Sequence, residues 1–142
     1  MDHQYIQLLQ RLNQTPSISG EEDAVCTLLA QWMSEQGIAV QRIANNLLAE
    51  CGDGPETILL NAHIDTVKPV EGWQRNPYSA EEEDCKIYGL GSNDAGASVV
   101  ALLAAFRVLI EKEQKYNLIF SVSAEEEVSG KNGMECLIKE LP

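Results

Sequence analysis

His63-Ile64-Asp65 closes the apolar run Thr57-Ile58-Leu59-Leu60-Asn61, a lone acid follows in Gly91-Ser92-Asn93-Asp94, and Glu125-Glu126-Glu127 follows a second apolar stretch. One imidazole and spaced carboxylates, each closing a β-like segment, form the pattern of a metal site built at one edge of a parallel sheet. Along an extended chain, residues two apart point to the same side, so His63 and Asp65 can face one site while Ile64 turns into the core. A carboxylate beside a metal-bound histidine takes the hydrogen bond from its second ring nitrogen and fixes the tautomer. Each piece alone has a plainer reading: a surface His-Asp pair, Asp94 as a helix N-cap, three glutamates in a solvated turn. Their common position at strand ends favours the metal reading, because open α/β sheets place ligands there.

The elements that must position these residues are legible from periodicity. Tyr5, Leu8, Leu9 and Leu12 mark one helical face, which Thr15-Pro16-Ser17 ends. Ser19 with Glu22 has the capping-box spacing for a second helix, which buries Val25, Leu28, Leu29 and Trp32 and stops at Gly37. Strands are predicted near 38–43, 47–51 and 57–62, separated by Asn45-Asn46 and by Gly52-Asp53-Gly54-Pro55. A helix over 95–112 directs Val99, Leu102, Leu103, Phe106 and Leu109 to the sheet, with Asp94 at its N-terminus, where the dipole favours a carboxylate. A buried strand over 117–122 and a last helix over 131–140, before Leu141-Pro142, complete the reading. Glu81-Glu82-Glu83-Asp84 reads as a solvated loop, and Trp73, Pro77 and Tyr78 as packing anchors of the long loop after His63, then as a rim of the site. Strand, helix and strand with a long crossover predict an α/β fold: a mostly parallel or mixed sheet flanked by helices.

With 142 residues, 44% of them hydrophobic, the chain can bury one core. Its net charge of −12 argues against nucleic acid and anionic membranes as partners, since both need Lys and Arg. No basic segment precedes an apolar core at the N-terminus, and the longest apolar stretch, 99–110, is too short to span a bilayer and contains Arg107. A cytoplasmic location is the expectation. Cys26, Cys51, Cys85 and Cys136 form no C-x-x-C pair and read as free thiols, Cys26 on the core side of a helix and Cys51 at a strand end. Without GxGxxG or Gly-Lys-Ser/Thr, the glycine-rich loop before Asp94 is a poor phosphate cradle.

Four blocks occur in order: Leu59-Leu60-Asn61-Ala62-His63-Ile64-Asp65-Thr66-Val67, Gly72-Trp73 with Asn76-Pro77-Tyr78, Tyr88-Gly89-Leu90-Gly91-Ser92-Asn93-Asp94, and Ser123-Ala124-Glu125-Glu126-Glu127-Val128. Together they resemble the co-catalytic zinc peptidase and deacylase family, of the acetylornithine deacetylase, succinyl-diaminopimelate desuccinylase and carboxypeptidase G type. The first of these types looks most similar. The resemblance implies that His63 binds one zinc, Asp94 bridges two zincs, Glu127 binds the other, Asp65 orients His63 and Glu126 is the general base. Cobalt is a substitute metal. Register in the triple-Glu run follows the family string Thr-Ala-Asp-Glu-Glu-Val, with Glu125 in the Asp place; a slip of one residue would make Glu125 the base.

The chain departs from the family's Gly-Arg-Gly-x-x-Asp-x-Lys-Gly block, with Leu90 for the Arg, Gly96 for the Lys and Ala97 for the last Gly. It also lacks the family's later acidic ligand, a second C-terminal histidine and the inserted lid or dimerisation domain; His3 reads as an exposed residue of the first helix. Residues 1–142 are therefore expected to be the N-terminal part of the catalytic domain of a longer enzyme, to bind metal weakly and to hydrolyse nothing alone. For the intact enzyme the resemblance implies a metal-dependent amidohydrolase that removes an acyl group from an N-acyl amino acid, with homodimerisation one of its arrangements. A dipeptidase or carboxypeptidase acting on short peptides is the nearest alternative, and a non-catalytic module that binds a partner is the alternative of another class.

Overall fold

Residues 3–141 are described by a computed structural model. Two amphipathic helices open the chain, α1 (His3–Gln14) and α2 (Asp23–Glu35), and they bury Tyr5, Leu8, Leu9 and Leu12 against Val25, Cys26, Leu29, Trp32 and Met33. Gly37, at φ 75°, ends α2 in the left-handed region that glycine enters without steric cost. Burial pushes the Cys26 thiol up to about 12, as expected of a packing residue rather than a nucleophile.

Three strands follow: β1 (Gln41–Ile43), β2 (Asn46–Cys51) and β3 (Thr57–His63). After a small hairpin of β4 (Glu81–Glu83) and β5 (Lys86–Tyr88), the chain enters α3 (Ala97–Leu109), returns through β6 (Asn117–Ser123) and ends in α4 (Met134–Leu137) with one 3₁₀ turn. The main sheet has the order β1-β2-β6-β3 and is mixed: β3 and β6 are parallel, whereas β1 with β2 and β2 with β6 are antiparallel. Every residue of β6 is buried, which is why Leu118, Ile119 and Phe120 stand in succession without alternating with exposed polar residues. Helix α3 covers the sheet with Val99, Val100, Leu103 and Phe106, and the Phe106 ring packs on Phe120 of β6 at 5.7 Å between centroids.

β3 forms one edge of the sheet, and its neighbouring Ile58 and Leu59 are about 40% exposed, one on each face (41% and 39%). Only its last residues, from Ala62, sink into the molecule, and the main chain stays paired beyond His63 because Ile64 N–H donates to Ser123 O at 2.9 Å.

The mixed sheet is one of the two forms expected, with β3 and β6 as its parallel pair. Three other expectations need correction. Glu81 to Glu83 is a strand, not a loop; Arg75 pairs with Glu81 and Glu83 and lies over the Tyr88 ring, so a cation offsets the like charges. The last helix starts at Met134 rather than Lys131, one α turn running on as a 3₁₀ turn to Glu140, because the chain from Lys131 to Gly133 is committed to a turn packed under Ala124. Ser19 is not an N-cap: Glu22 holds that place with no side-chain cap bond, and the Ser19 hydroxyl donates elsewhere.

Phe120 is wholly buried at the sheet–helix junction, so Phe120→Ala should destabilise the fold by about 3–5 kcal/mol through lost transfer energy and a residual cavity. Val108→Ala, on the exposed side of α3, should stay within about 0.5 kcal/mol of wild type. Urea denaturation of both variants, monitored by Trp fluorescence, checks the contrast.

Candidate metal centre

Parallel pairing brings the carboxyl ends of β3 and β6 together. The register sets His63 opposite Ser123, so the acidic turn after β6 begins beside the histidine. Alternation then works as the sequence predicts: Ile64 is buried in the core and His63 and Asp65 share a side.

The His63 ring is largely enclosed, its side chain 11% exposed, and it stands among carboxylates. Its Nε2 lies 2.9 Å from Asp94 Oδ1 and 3.8 Å from Glu126 Oε2. Its Nδ1 lies 3.1 Å from the main-chain oxygen of Asp65 and 3.4 Å from Asp65 Oδ1. Thus the hydrogen bond that sets the ring is donated by Nδ1–H to the Asp65 carbonyl, with the carboxylate adjacent. Ligand atoms of His63, Glu126 and Glu127 lie within 4.8 Å of one another. Burial pulls the His63 pKa down, but the hydrogen bond to Asp94, that to the Asp65 carbonyl and the charges of Asp65 and Glu126 outweigh it, and the net shift is upward. Glu127 is also shifted upward, by partial desolvation and then by the nearby negative charge of Asp94.

The Asp65 carboxylate is 0% exposed and does more than face the imidazole. Its Oδ1 accepts the Glu126 N–H at 3.0 Å; Oδ2 accepts the Glu127 N–H at 3.1 Å and the Ser19 hydroxyl at 2.7 Å. Asp65 therefore ties His63, held at its carbonyl, to the acidic turn, held at its carboxylate. Next along the turn, Glu125 takes φ 53°, and its carboxylate turns away to the main-chain N–H and side-chain amide of Asn132 at 3.2 and 2.8 Å. Of the three glutamates, Glu126 and Glu127 stand beside His63 and Glu125 does not.

Asp94 lies upstream of α3, with φ −116° and ψ 97°, so it is not the helix N-cap; Gly96 is. Its loop is set by Gly91 at φ 78°, where a Cβ would come within 2.6 Å of Thr66 Cγ2. The glycine at 96 has its own cause: a Cβ there would meet Gly91 O at 2.7 Å, so this loop leaves no room for the lysine of the family pattern. Trp73 is 40% exposed and lies with Arg75 and Tyr88 along an open groove that reaches Ser92; it packs less than its type suggests.

Three residues of this neighbourhood escape a reading by motif. Ser19, Glu22 and Asn46 each send a side chain to the Asp65 carboxylate or to the acidic turn. The first two carry a signal in the sequence, but it reads as a helix cap.

As a donor set, one imidazole nitrogen and the carboxylates of Asp94, Glu126 and Glu127 suit a divalent cation of the zinc type, which accepts both nitrogen and oxygen. The upward shift of His63, and that of Glu127 beyond what desolvation causes, follow from packing these acids together, and a cation among them would offset that repulsion.

Known proteins carry the same arrangement of chain. The model of the family described as peptidase family M20/M25/M40 matches residues 59–142. The chain is 35% identical to acetylornithine deacetylase of Salmonella paratyphi B, over 140 positions that cover 88% of this chain and 37% of that protein. It superposes on an M20 family metallo-carboxypeptidase of Sulfolobus solfataricus with a TM-score of 0.81 and 27% identity, covering 99% of this chain and 34% of the other. For human carnosine dipeptidase 1 the TM-score is 0.74 at 25% identity, covering 97% of this chain and 35% of that one. The chain thus spans little more than a third of each of these proteins.

Asp65→Asn keeps the size of the side chain but turns an amide N–H₂ toward one of the donors that Asp65 now accepts. In the full-length protein, zinc affinity or kcat/KM should fall by roughly 10- to 100-fold, as when a group supporting a metal ligand is lost. Wild-type values in both assays would remove Asp65 from the site.

Proposed function

Since the chain belongs to peptidase family M20/M25/M40, we propose that it is the N-terminal part of the catalytic domain of a zinc-dependent amidohydrolase that removes an acyl group from an N-acyl amino acid. The observation that carries the reading is the cluster itself: ligand atoms of His63, Glu126 and Glu127 within 4.8 Å, with Asp94 2.9 Å from the imidazole. Identity of 35% to an acetylornithine deacetylase supports the deacylase class. In this reading His63 and Glu127 would each hold one metal ion, and Asp94, beside His63 Nε2, would be shared between the two. Cobalt would serve in place of zinc.

The metal pair, when bound, supplies an acidified water and a polarised substrate carbonyl. Everything else is done by the chain. Asp65 holds the imidazole and the acidic turn in one frame, so the donors keep their spacing. Glu126, with its side chain 59% exposed and a carboxylate oxygen 3.8 Å from His63 Nε2, faces the space where substrate would lie. It accepts the proton of the attacking water and returns it to the departing nitrogen, the usual work of a general acid–base. Glu125, bonded to Asn132, takes no part.

A peptide bond could replace the acyl amide without changing these roles. Likeness to a metallo-carboxypeptidase and a dipeptidase at 27% and 25% identity is the observation that favours this second reading. Comparing hydrolysis of N-acetyl amino acids with that of dipeptides by the full-length protein separates the two.

Base and ligand separate by mutation. Glu126→Gln in the full-length protein should keep its metal while kcat falls by about 10²-fold or more. Glu127→Gln should lose metal as well as rate, as read by atomic absorption after gel filtration. Loss of zinc from Glu126→Gln, with loss of rate alone from Glu125→Gln, would shift the register by one residue.

A further inference from the structure

Glu22 is charged by type, yet 0% of it is exposed. Its Oε1 accepts the Gly20 N–H at 2.7 Å and the Glu125 N–H at 3.2 Å, and its Oε2 accepts the Asn45 side-chain amide at 3.0 Å. All three donors are uncharged. Burying a carboxyl group in such a place is unfavourable unless its hydrogen bonds are made, and helix capping does not account for it. Glu22 makes no side-chain cap bond to α2, and shorter residues cap better.

What the side chain does is join the start of α2 to the acidic turn, across 103 residues of sequence. The turn has a particular need there. Glu125 sits at φ 53°, a conformation that costs a side-chain-bearing residue energy, and it persists only where surroundings over-determine it. Asn46 holds the preceding N–H, that of Ala124, at 2.9 Å, and Asp65 holds the two that follow. The Glu125 N–H is the remaining one, and Glu22 holds it.

We infer that Glu22 is a positioning residue for the acidic turn: its carboxylate pins the Glu125 peptide, so that the Glu125 side chain leaves toward Asn132 while Glu126 and Glu127 face His63. It touches neither metal nor substrate. The consequence for function rests on the roles proposed above for Glu126 and Glu127. Without Glu22 the Glu125 N–H has no buried acceptor, and the peptide is free to rotate out of the left-handed region. The neighbouring glutamates then lose their fixed direction.

The test uses Glu22→Ala and Glu22→Gln in the full-length protein, with Val25→Ala as a control that removes buried apolar volume from the same helix without touching the turn. Amide hydrogen exchange at Glu125, Glu126 and Glu127 is compared with that at Ile119 and Phe120 of β6, and affinity for Zn²⁺ alone is measured by titration. In Glu22→Ala the three turn amides should exchange at least about tenfold faster than any change at the β6 amides explains. Zn²⁺ affinity should fall by about tenfold or more, the lower end of what losing a supporting group costs a metal site. Val25→Ala should shift both sets of amides together and keep wild-type affinity. Glu22→Gln retains one oxygen for the Glu125 N–H and should show the same pattern in weaker form; it carries the test if Glu22→Ala does not fold. Turn amides that track β6 in both Glu22 variants, with wild-type Zn²⁺ affinity, would overturn the inference. A wild-type protein that bound no Zn²⁺ would instead overturn the metal reading, and the exchange pattern alone would then decide the role of Glu22.

Discussion

Four consecutive backbone N–H groups, from Ala124 to Glu127, end on side-chain oxygens of three wholly buried residues, Asn46, Glu22 and Asp65. A turn that carries three adjacent glutamates has no reason of its own to stay folded against a fourth and a fifth carboxylate. Like charges repel, and the left-handed Glu125 adds a local cost. The hydrogen bonds reverse that balance because three of the four carboxylate oxygens of Glu22 and Asp65, which would repel the glutamate side chains, are turned to their main-chain N–H groups instead. The backbone is held close while the charged ends are sent in different directions.

The three acceptors come from separate parts of the fold: Asn46 begins β2, Glu22 precedes α2 and Asp65 follows β3. Correct direction of Glu126 and Glu127 thus depends on sheet register and helix placement together. Parallel pairing of β3 with β6 contributes the first condition by setting His63 opposite Ser123. The segment between α1 and α2 contributes the second, since Ser17 O accepts the Thr66 N–H and Ser19 N–H donates to Thr66 O, which lays this segment along the chain just after Asp65.

Local periodicity made much of this legible. The facing of His63 and Asp65 needed only the two-residue repeat of an extended chain, and the helix faces at Leu8, Leu29 and Leu103 needed only the 3.6-residue repeat. What could not be read is non-local. Ser19 and Glu22 have capping-box spacing, but their partners are Asp65, Asn45 and Glu125, which no window of a few residues contains. Antiparallel pairing of β2 with β6 is likewise set by contacts 75 residues apart in register, Leu47 with Val122. The β4 strand was hidden because Glu81 to Glu83 has a loop's composition, and Arg75, which makes pairing tolerable, lies outside it. Glu125 was separable from its neighbours only through the resemblance; its bond to Asn132 supplies a physical reason that the sequence does not show.

The edge position of β3 has a consequence for how the molecule meets its surroundings. Thr57 to His63 contains no proline and no charged side chain except the histidine at its end, and both its faces are bare at Ile58 and Leu59. Its outer row of N–H and C=O groups faces outward, the arrangement that natural sheets blunt with lysine, proline or a bulge. Nothing in this strand blunts it, so the row stays open for an extended segment of the rest of the proposed catalytic domain to pair along it. Because the same strand delivers His63, whatever pairs there would run toward the histidine, and closure of the sheet and closure of the site become properties of one stretch of backbone.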